Sequence, residues 1–353
     1  MPPTIREVAR EAGVSIATVS HALSGNRPVS GTTRRRIAAA IDRLGYRPNR
    51  IAAAMTTGRT ETLGMVVPDI ANPFFGGLLG TAERAAAERG YTVIACSSEL
   101  DAELEARYVA KLRDRRVDAL LYLAGTERPN AALAEIEAAG TPIVVLDEEL
   151  GELPRSASVL TVENESGGAL AAAHLLALGH RALAVVGGPR GLPTARARLK
   201  GFRRRAADAG APLQPSRICA ADAYTHEGGR RAALDLLRRE PDVTAIFCGN
   251  DLIALGVLDA ARELGIVVPD RLSVVGFDDI FFSALVSPAL TTIHQPLARL
   301  GKEAAALAID LIEGTITGPV RRRLPVELVV RGSTAPQPTP VGRGSRTATS
   351  RRK

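Results

Sequence analysis

From residue 62 onward, two textures alternate along the chain. Short aliphatic runs, "LGMVVP", "YTVIACS", "VDALLYL", "PIVVLD", "LAVVGG", "VTAIFCG" and "LSVVGF", are bounded by Gly, Pro or polar residues. Between them lie amphipathic stretches such as "LLGTAERAAAERG" and "NDLIALGVLDAARELG". Fully apolar runs separated by helices predict parallel strands in βαβ units. There are enough of them for an α/β core of two doubly wound parallel-sheet lobes, dividing near residue 160 and rejoined near 290. In such lobes ligands sit at the carboxyl ends of the strands, here facing one another across a cleft.

Residues 4 to 45 have helical periodicity and predict a small all-α head. Thr4 and Glu7 form a T-x-x-E capping box, and Ile5, Val8 and Ala9 make one apolar face. Gly13 allows a tight turn, Ser15 caps a second helix, and a third carries Ile37, Ile41 and Leu44 on one side. From Ala335 the chain is rich in Pro, Gly, Ser, Thr and Arg without apolar period, which predicts a disordered basic tail. The expected organisation is therefore a head over 1–48, a hinge helix over 49–60, a two-lobed core over 61–334 and a tail over 335–353.

Charge sharpens this division. The net charge is +7 over the whole chain, yet residues 1–60 carry +7, residues 321–353 carry +8 and the body between them −8. A basic head on a mildly acidic body points to a polyanionic partner. The polar amino-terminal residues do not read as a signal peptide, and no apolar run is long enough to span a membrane. Cys96, Cys219 and Cys248 are odd in number and widely spaced, unlike a disulfide frame or a metal site. These features predict a cytoplasmic protein.

Two helices joined by a short glycine turn read as a helix-turn-helix, whose second helix enters the major groove. On that helix Val19 and Leu23 share one face and are expected to pack on Val8 and Val14. The other face presents Ile16, Ala17, Ser20 and His21, small enough to press against base edges. Methyl groups of Ile16 and Ala17 suit thymine methyls, and His21 can donate to guanine N7 or O6. The arginines belong on phosphates, where they supply affinity and register.

The segments "TIREVAREAGVSIATVSHALSG", "NPFF", "LGHR", "GPRGLPTARARLKGF", "NDLIALG", "VVGFDD" and "LTTIHQP" together resemble the lac and gal repressor family over residues 4 to about 331. That resemblance implies a homodimer on a pseudo-palindromic double-stranded operator. It also implies a core like that of periplasmic sugar-binding proteins. The expected DNA-contacting set is Thr4, Ser15, Ile16, Ala17, Thr18, Ser20 and His21 in the head, with Asn49, Arg50 and Met55 in the hinge. The span 46–58 begins a helix at Pro48–Asn49 and is about two turns long, too short to be stable alone in water. Family members place a leucine in the minor groove from the position Met55 holds, and an apolar wedge there kinks DNA.

For the cleft, the candidates stand at strand ends. Asp147 ends "PIVVLD", Asn250 and Asp251 follow "IFCG", and Asp278 and Asp279 follow "VVGF". In sugar-binding relatives the residues matching Asp147, Asn250 and Asp278, with Arg198 and Gln295, hold hydroxyl groups, as carboxylates and amides are suited to do. Phe74 and Phe75 are placed to cover one face of a ring. A helix N-cap is the competing role for Asn250 and Asp279. Ala223 stands where family members often carry an aromatic residue, with Tyr224 beside it.

No catalytic arrangement emerges. The five histidines, at 21, 174, 180, 226 and 294, are dispersed, and H-E-x-x-H, C-x-x-C, G-x-S-x-G and P-loop patterns are absent. "VVGGPRG" at 185–191 lacks the spacing of a phosphate-binding loop. The reading is a DNA-binding regulator, in all expectation a repressor, whose operator affinity responds to a small effector such as a sugar. No enzyme activity, cofactor or metal is expected. The alternative is a stand-alone carbohydrate-binding protein without a DNA role.

Overall fold

The computed structural model describes residues 3–24, 27–46, 59–126 and 130–337. Asn49, Arg50 and Met55 lie outside them. The chain forms two compact units, Met1–Thr62 and Leu63–Lys353.

In the first unit, α1 (Ile5–Ala12), α2 (Ile16–Ser24) and α3 (Gly31–Leu44) surround a small core of Val8, Ala9, Ala12, Val19, Ile37 and Ala40. The Glu7 carboxylate accepts from the Thr4 N–H at 2.7 Å and from its hydroxyl at 3.0 Å, satisfying a donor at the start of α1. Gly13 takes a left-handed φ of 65°, which ends α1 and turns the chain. Ser15 Oγ then accepts from the Thr18 N–H at 3.1 Å and starts α2. One expectation fails here. Leu23 is 40% exposed, and Ala22 is the residue packed on the core beside Val19. The buried stripe of α2 thus runs through Val19 and Ala22, at i,i+3 spacing.

The second unit holds two six-stranded sheets. The first contains β1 (Thr62–Val67), β2 (Thr92–Ser97), β3 (Ala119–Leu123), β4 (Ile143–Leu146), β5 (Ser158–Val162) and β11 (Arg321–Leu324), in the order β11-β5-β4-β3-β1-β2. The second contains β6 (Leu183–Gly187), β7 (Ile218–Ala220), β8 (Ala245–Cys248), β9 (Ser273–Asp278), β10 (Thr291–His294) and β12 (Glu327–Val329), in the order β12-β10-β9-β8-β6-β7. Of the registered pairs only β10–β12 is antiparallel. Each sheet is apolar on both faces because helices cover both.

The helices that cover the sheets are α4 (Pro73–Glu88), α5 (Ala102–Asp114), α6 (Leu133–Ala138), α7 (Asn164–Ala177), α8 (Pro193–Asp208), α9 (His226–Arg239), α10 (Asp251–Glu263) and α11 (Leu297–Glu313). The chain passes between lobes three times: after β5, after β10 and between β11 and β12. The third passage was not anticipated. Its first strand reads "RRRL", an edge strand with three exposed arginines and no apolar alternation to announce it.

Two glycines bring α7 and α8 into backbone contact. A methyl on Gly168 would run into the Arg198 carbonyl, and one on Gly201 into the Glu165 carbonyl. This close crossing fixes the height of Arg198 at the cleft. At the other end, the Gln337 N–H donates to the Leu178 carbonyl at 2.8 Å and the Ala335 carbonyl meets His180 Nε2 at 3.0 Å. The chain therefore stays docked through Gln337, beyond the expected onset of disorder at 335. Residues 338–353 lie outside the described residues.

Candidate functional site

A cavity of about 210 Å³ opens between the carboxyl ends of the two sheets. All seven sequence-predicted cleft residues line it: Phe74, Phe75, Asp147, Arg198, Asn250, Asp278 and Gln295. Each arrives from the place its strand dictates. Phe74 and Phe75 open α4, Asp147 follows β4, Asn250 follows β8, Asp278 ends β9 and Gln295 follows β10. The two phenyl rings meet edge to face at 5.3 Å. Asp147 and Asp278 both hold left-handed backbone, with φ of 68° and 116°. Non-glycine residues keep such angles at a cost of about 1–3 kcal/mol, paid where a side chain must be aimed.

Arg198 organises the floor. Its guanidinium, 4% exposed, donates from Nε to Asn164 Oδ1 at 2.8 Å and from Nη1 to the Gly249 carbonyl at 2.7 Å. It lies 3.8 Å over the ring of Phe277 and 3.7 Å from Asp278 Oδ1. Gln295 Nε2 donates to the same Asp278 oxygen at 2.8 Å. Burial drives the carboxyl groups of Asp147 and Asp278 upward in pKa, and the Arg198 charge pulls both back. Two buried acceptors lining the cavity, Asp147 Oδ1 and Gln295 Oε1, have no hydrogen-bond partner among the described residues.

Sequence reasoning missed a second polar group on the same wall. Glu148, buried next to Asp147, accepts from the Thr194 N–H at 3.0 Å and from its hydroxyl at 2.6 Å, joining the first lobe to the start of α8 in the second. The Tyr224 hydroxyl lies 3.4 Å from Thr194 Oγ1 and both residues line the cavity. Burial first, then the Asp147 charge, pushes the Glu148 carboxyl up to about 7. A second acid immediately after "PIVVLD" was the available signal, since a solvated loop and a cleft floor are indistinguishable in a linear string.

Two other carboxylates are structural. Asp251 accepts from Thr292 Oγ1, Ser283 Oγ and the Ile280 N–H, at 2.5, 2.7 and 2.9 Å. Asp279 pairs with Arg331 Nη2 at 2.6 Å and His294 Nδ1 at 2.9 Å, so it ties strands and is not an N-cap. Asn250 takes the N-cap role, accepting the Ile253 N–H at 2.9 Å at the start of α10, and still borders the cavity.

On the head, Thr4, Ser15, Ile16 and Ala17 are exposed, with Ile16 at 45%; Thr18, Ser20 and His21 are half-buried. Arg36 and Arg43 are held within the head, on the Gly13 carbonyl at 3.4 Å and on Glu11 at 2.7 Å. Arg6, Arg10, Arg34 and Arg35 stand exposed around it.

A helix-turn-helix unit ahead of two doubly wound lobes, with a cavity between them that buried polar side chains reach, defines a DNA-binding regulator with a periplasmic-binding-protein-like core. Residues 4–49 match the model of the bacterial regulatory proteins of the lacI family, and residues 172–334 match that of a periplasmic binding protein-like domain. The chain is 37% identical to the HTH-type transcriptional regulator DegA of Bacillus subtilis (strain 168), over 95% of this chain and 99% of DegA. It belongs to the lacI family. Among solved structures, a complex of the transcriptional regulator CelR with cellobiose is 34% identical, with a TM-score of 0.72, covering 94% of this chain and 99% of that one. The lac repressor dimer bound to operator and the anti-inducer ONPF is 28% identical, with a TM-score of 0.82, covering 95% and 100%. The protein is thus a DNA-binding transcriptional regulator and not an enzyme. Among the described residues no helix is long and apolar enough to cross a membrane.

Proposed function

We propose that the protein is a cytoplasmic repressor that binds a pseudo-palindromic operator as a homodimer and changes its operator affinity when a sugar or sugar derivative enters the cleft. The observation that carries this reading is the convergence of Asp147, Arg198, Asn250, Asp278 and Gln295 on one cavity between the lobes. Carboxylate and amide oxygens accept from hydroxyls, the guanidinium donates to them, and Phe74 and Phe75 offer an apolar wall. The cellobiose complex of CelR supports the ligand class. Because the cavity is walled by both lobes, an occupant contacts both and favours the lobe arrangement it fits best.

In the head, Ile16, Ala17 and His21 read bases, with Ser20 beside them, while Thr4, Ser15, Thr18 and the arginines hold phosphates. Asn49, Arg50 and Met55 form the hinge contact to the minor groove. The operator-bound lac repressor dimer supports a dimeric reading. So does the apolar patch of Phe281, Phe282 and Leu285, of which Phe281 is 74% exposed. The test has two arms. Selection of duplexes from a random pool should return a near-palindrome, and calorimetry against mono- and disaccharides, sugar phosphates and nucleobases should return a sugar. Binding of nucleobases alone would refute the effector assignment.

A further inference from the structure

The charges lining the cavity do not balance. Five carboxylates reach it, from Asp69, Asp147, Glu148, Asp222 and Asp278, against the single guanidinium of Arg198 among the lining residues. Two of the five are not buried. Asp222 is paired with Arg231, and Asp69 sits at the rim, accepting from the Ala71 N–H at 2.8 Å. Three buried carboxyl groups remain around one cation, and burial raises the pKa of each, so their ionised forms lack compensating positive charge. That cation is itself committed to Asn164, to the Gly249 carbonyl and to the Phe277 ring, and it approaches Asp278 only at 3.7 Å.

The hydrogen-bonding pattern leans the same way. Asp147 Oδ1 and Gln295 Oε1 are buried acceptors without partners, and Gln295 is only 1% exposed. A buried acceptor left unpaired is costly, which favours an occupant that brings donors towards Asp147 and Gln295. Glu148 adds a further carboxylate beside Asp147, held in place by the Thr194 N–H and hydroxyl.

Building on the sugar-responsive reading, we propose that the effector is a polyhydroxylated amine, such as an amino sugar, whose ammonium group sits against the Asp147 and Glu148 carboxylates. An ammonium supplies donors and no acceptor, and it returns one positive charge to the three-carboxylate cluster. A phosphorylated or carboxylated sugar would add negative charge to the same place and should bind more weakly. A neutral hydroxyl supplies one donor but leaves the charge uncompensated. Replacing a neutral hydrogen bond by a charge-assisted one in a buried site strengthens binding by roughly tenfold or more.

Glucose, galactose and mannose provide the probes, each titrated by calorimetry at pH 7 into the full chain beside its 2-amino, 3-amino and 6-amino deoxy derivatives and its 6-phosphate. The expected result is at least one amine that binds about tenfold more tightly than its parent sugar, with every phosphate weaker than its parent. Glu148→Gln should reduce that advantage to less than about threefold, and Asp147→Asn serves the same purpose if the first variant does not fold. A parent sugar that equals or surpasses all its amines, or a phosphate that binds best, overturns the amine assignment and leaves the sugar reading standing. Absence of binding by both parents and amines overturns both.

Discussion

Asp278 offers the sharpest test of how the cavity works. Its carboxylate is 4% exposed, holds a φ of 116°, accepts from Gln295 and faces the Arg198 guanidinium at 3.7 Å. Replacing it by alanine removes the acceptor a ligand hydroxyl would use and frees Gln295 to turn away. Hydrogen bonds to a charged group contribute about 1.5–3 kcal/mol each, so effector affinity should fall by roughly 10- to 150-fold. Stability should change much less than the loss of a buried ion pair would suggest. The pairing distance is long, and Arg198 keeps its bonds to Asn164 and Gly249. Burial also holds the Asp278 carboxyl well above its ordinary pKa, so removing the charge relieves a desolvation cost. The melting temperature should therefore move by no more than about 4 °C in either direction. Asp278→Asn separates the contributions, since it keeps the shape and one acceptor while losing the charge, and it should bind the effector with intermediate affinity. Calorimetry gives the affinities, and operator titration with and without effector gives the response. An Asp278→Ala protein with wild-type effector affinity would refute the placement of the ligand.

Other expectations follow from the same reasoning. His21→Ala should weaken operator binding by about 1–3 kcal/mol and relax preference at one symmetric base position, read by binding to a set of single-base operator variants; equal weakening on all sequences would make His21 a phosphate contact instead. Operator affinity should fall steeply with salt, and a flat response would remove the exposed head arginines from the DNA contact. Backbone amides of residues 49–57 should exchange quickly in free protein and slowly on operator, with equal protection in both states ruling out a hinge that folds on DNA. For pH, the folded pKa values of Glu148, Asp147 and Asp278 all lie above their unfolded values, with Glu148 near 7. The folded state then binds more protons than the unfolded one between about pH 4.5 and 7, so this cluster's contribution to stability should grow as pH falls through that window. Denaturant melts of the wild type against Glu148→Gln should show a shallower pH slope in the variant.

The linear pattern determined more of this protein than its site. Aliphatic runs capped by Gly and Pro specify parallel strands wherever both faces are buried, which is why β1, β3, β4, β6, β8 and β9 could be read directly. The carboxyl ends of those strands then designate Asp147, Asn250 and Asp278 as neighbours, since a doubly wound lobe has only one end at which its loops converge. The Thr4, Gly13 and Ser15 signals are local, each resting on groups within a turn of one another, and they define the head for the same reason. What tertiary structure alone decided is which polar residue is satisfied by the protein and which is left for a ligand. Asp251 and Asp147 follow equally apolar strands, yet Asp251 receives three donors from Thr292, Ser283 and Ile280, far along the chain, while Asp147 Oδ1 receives none. Glu148 likewise became a cleft residue only because α8, anchored by the Gly168–Gly201 crossing, brings Thr194 to it from the other lobe. Periodicity reports which face of an element is buried. Hydrogen-bond partners tens or hundreds of residues apart, and the charge left unbalanced between them, exist only once the lobes close on each other.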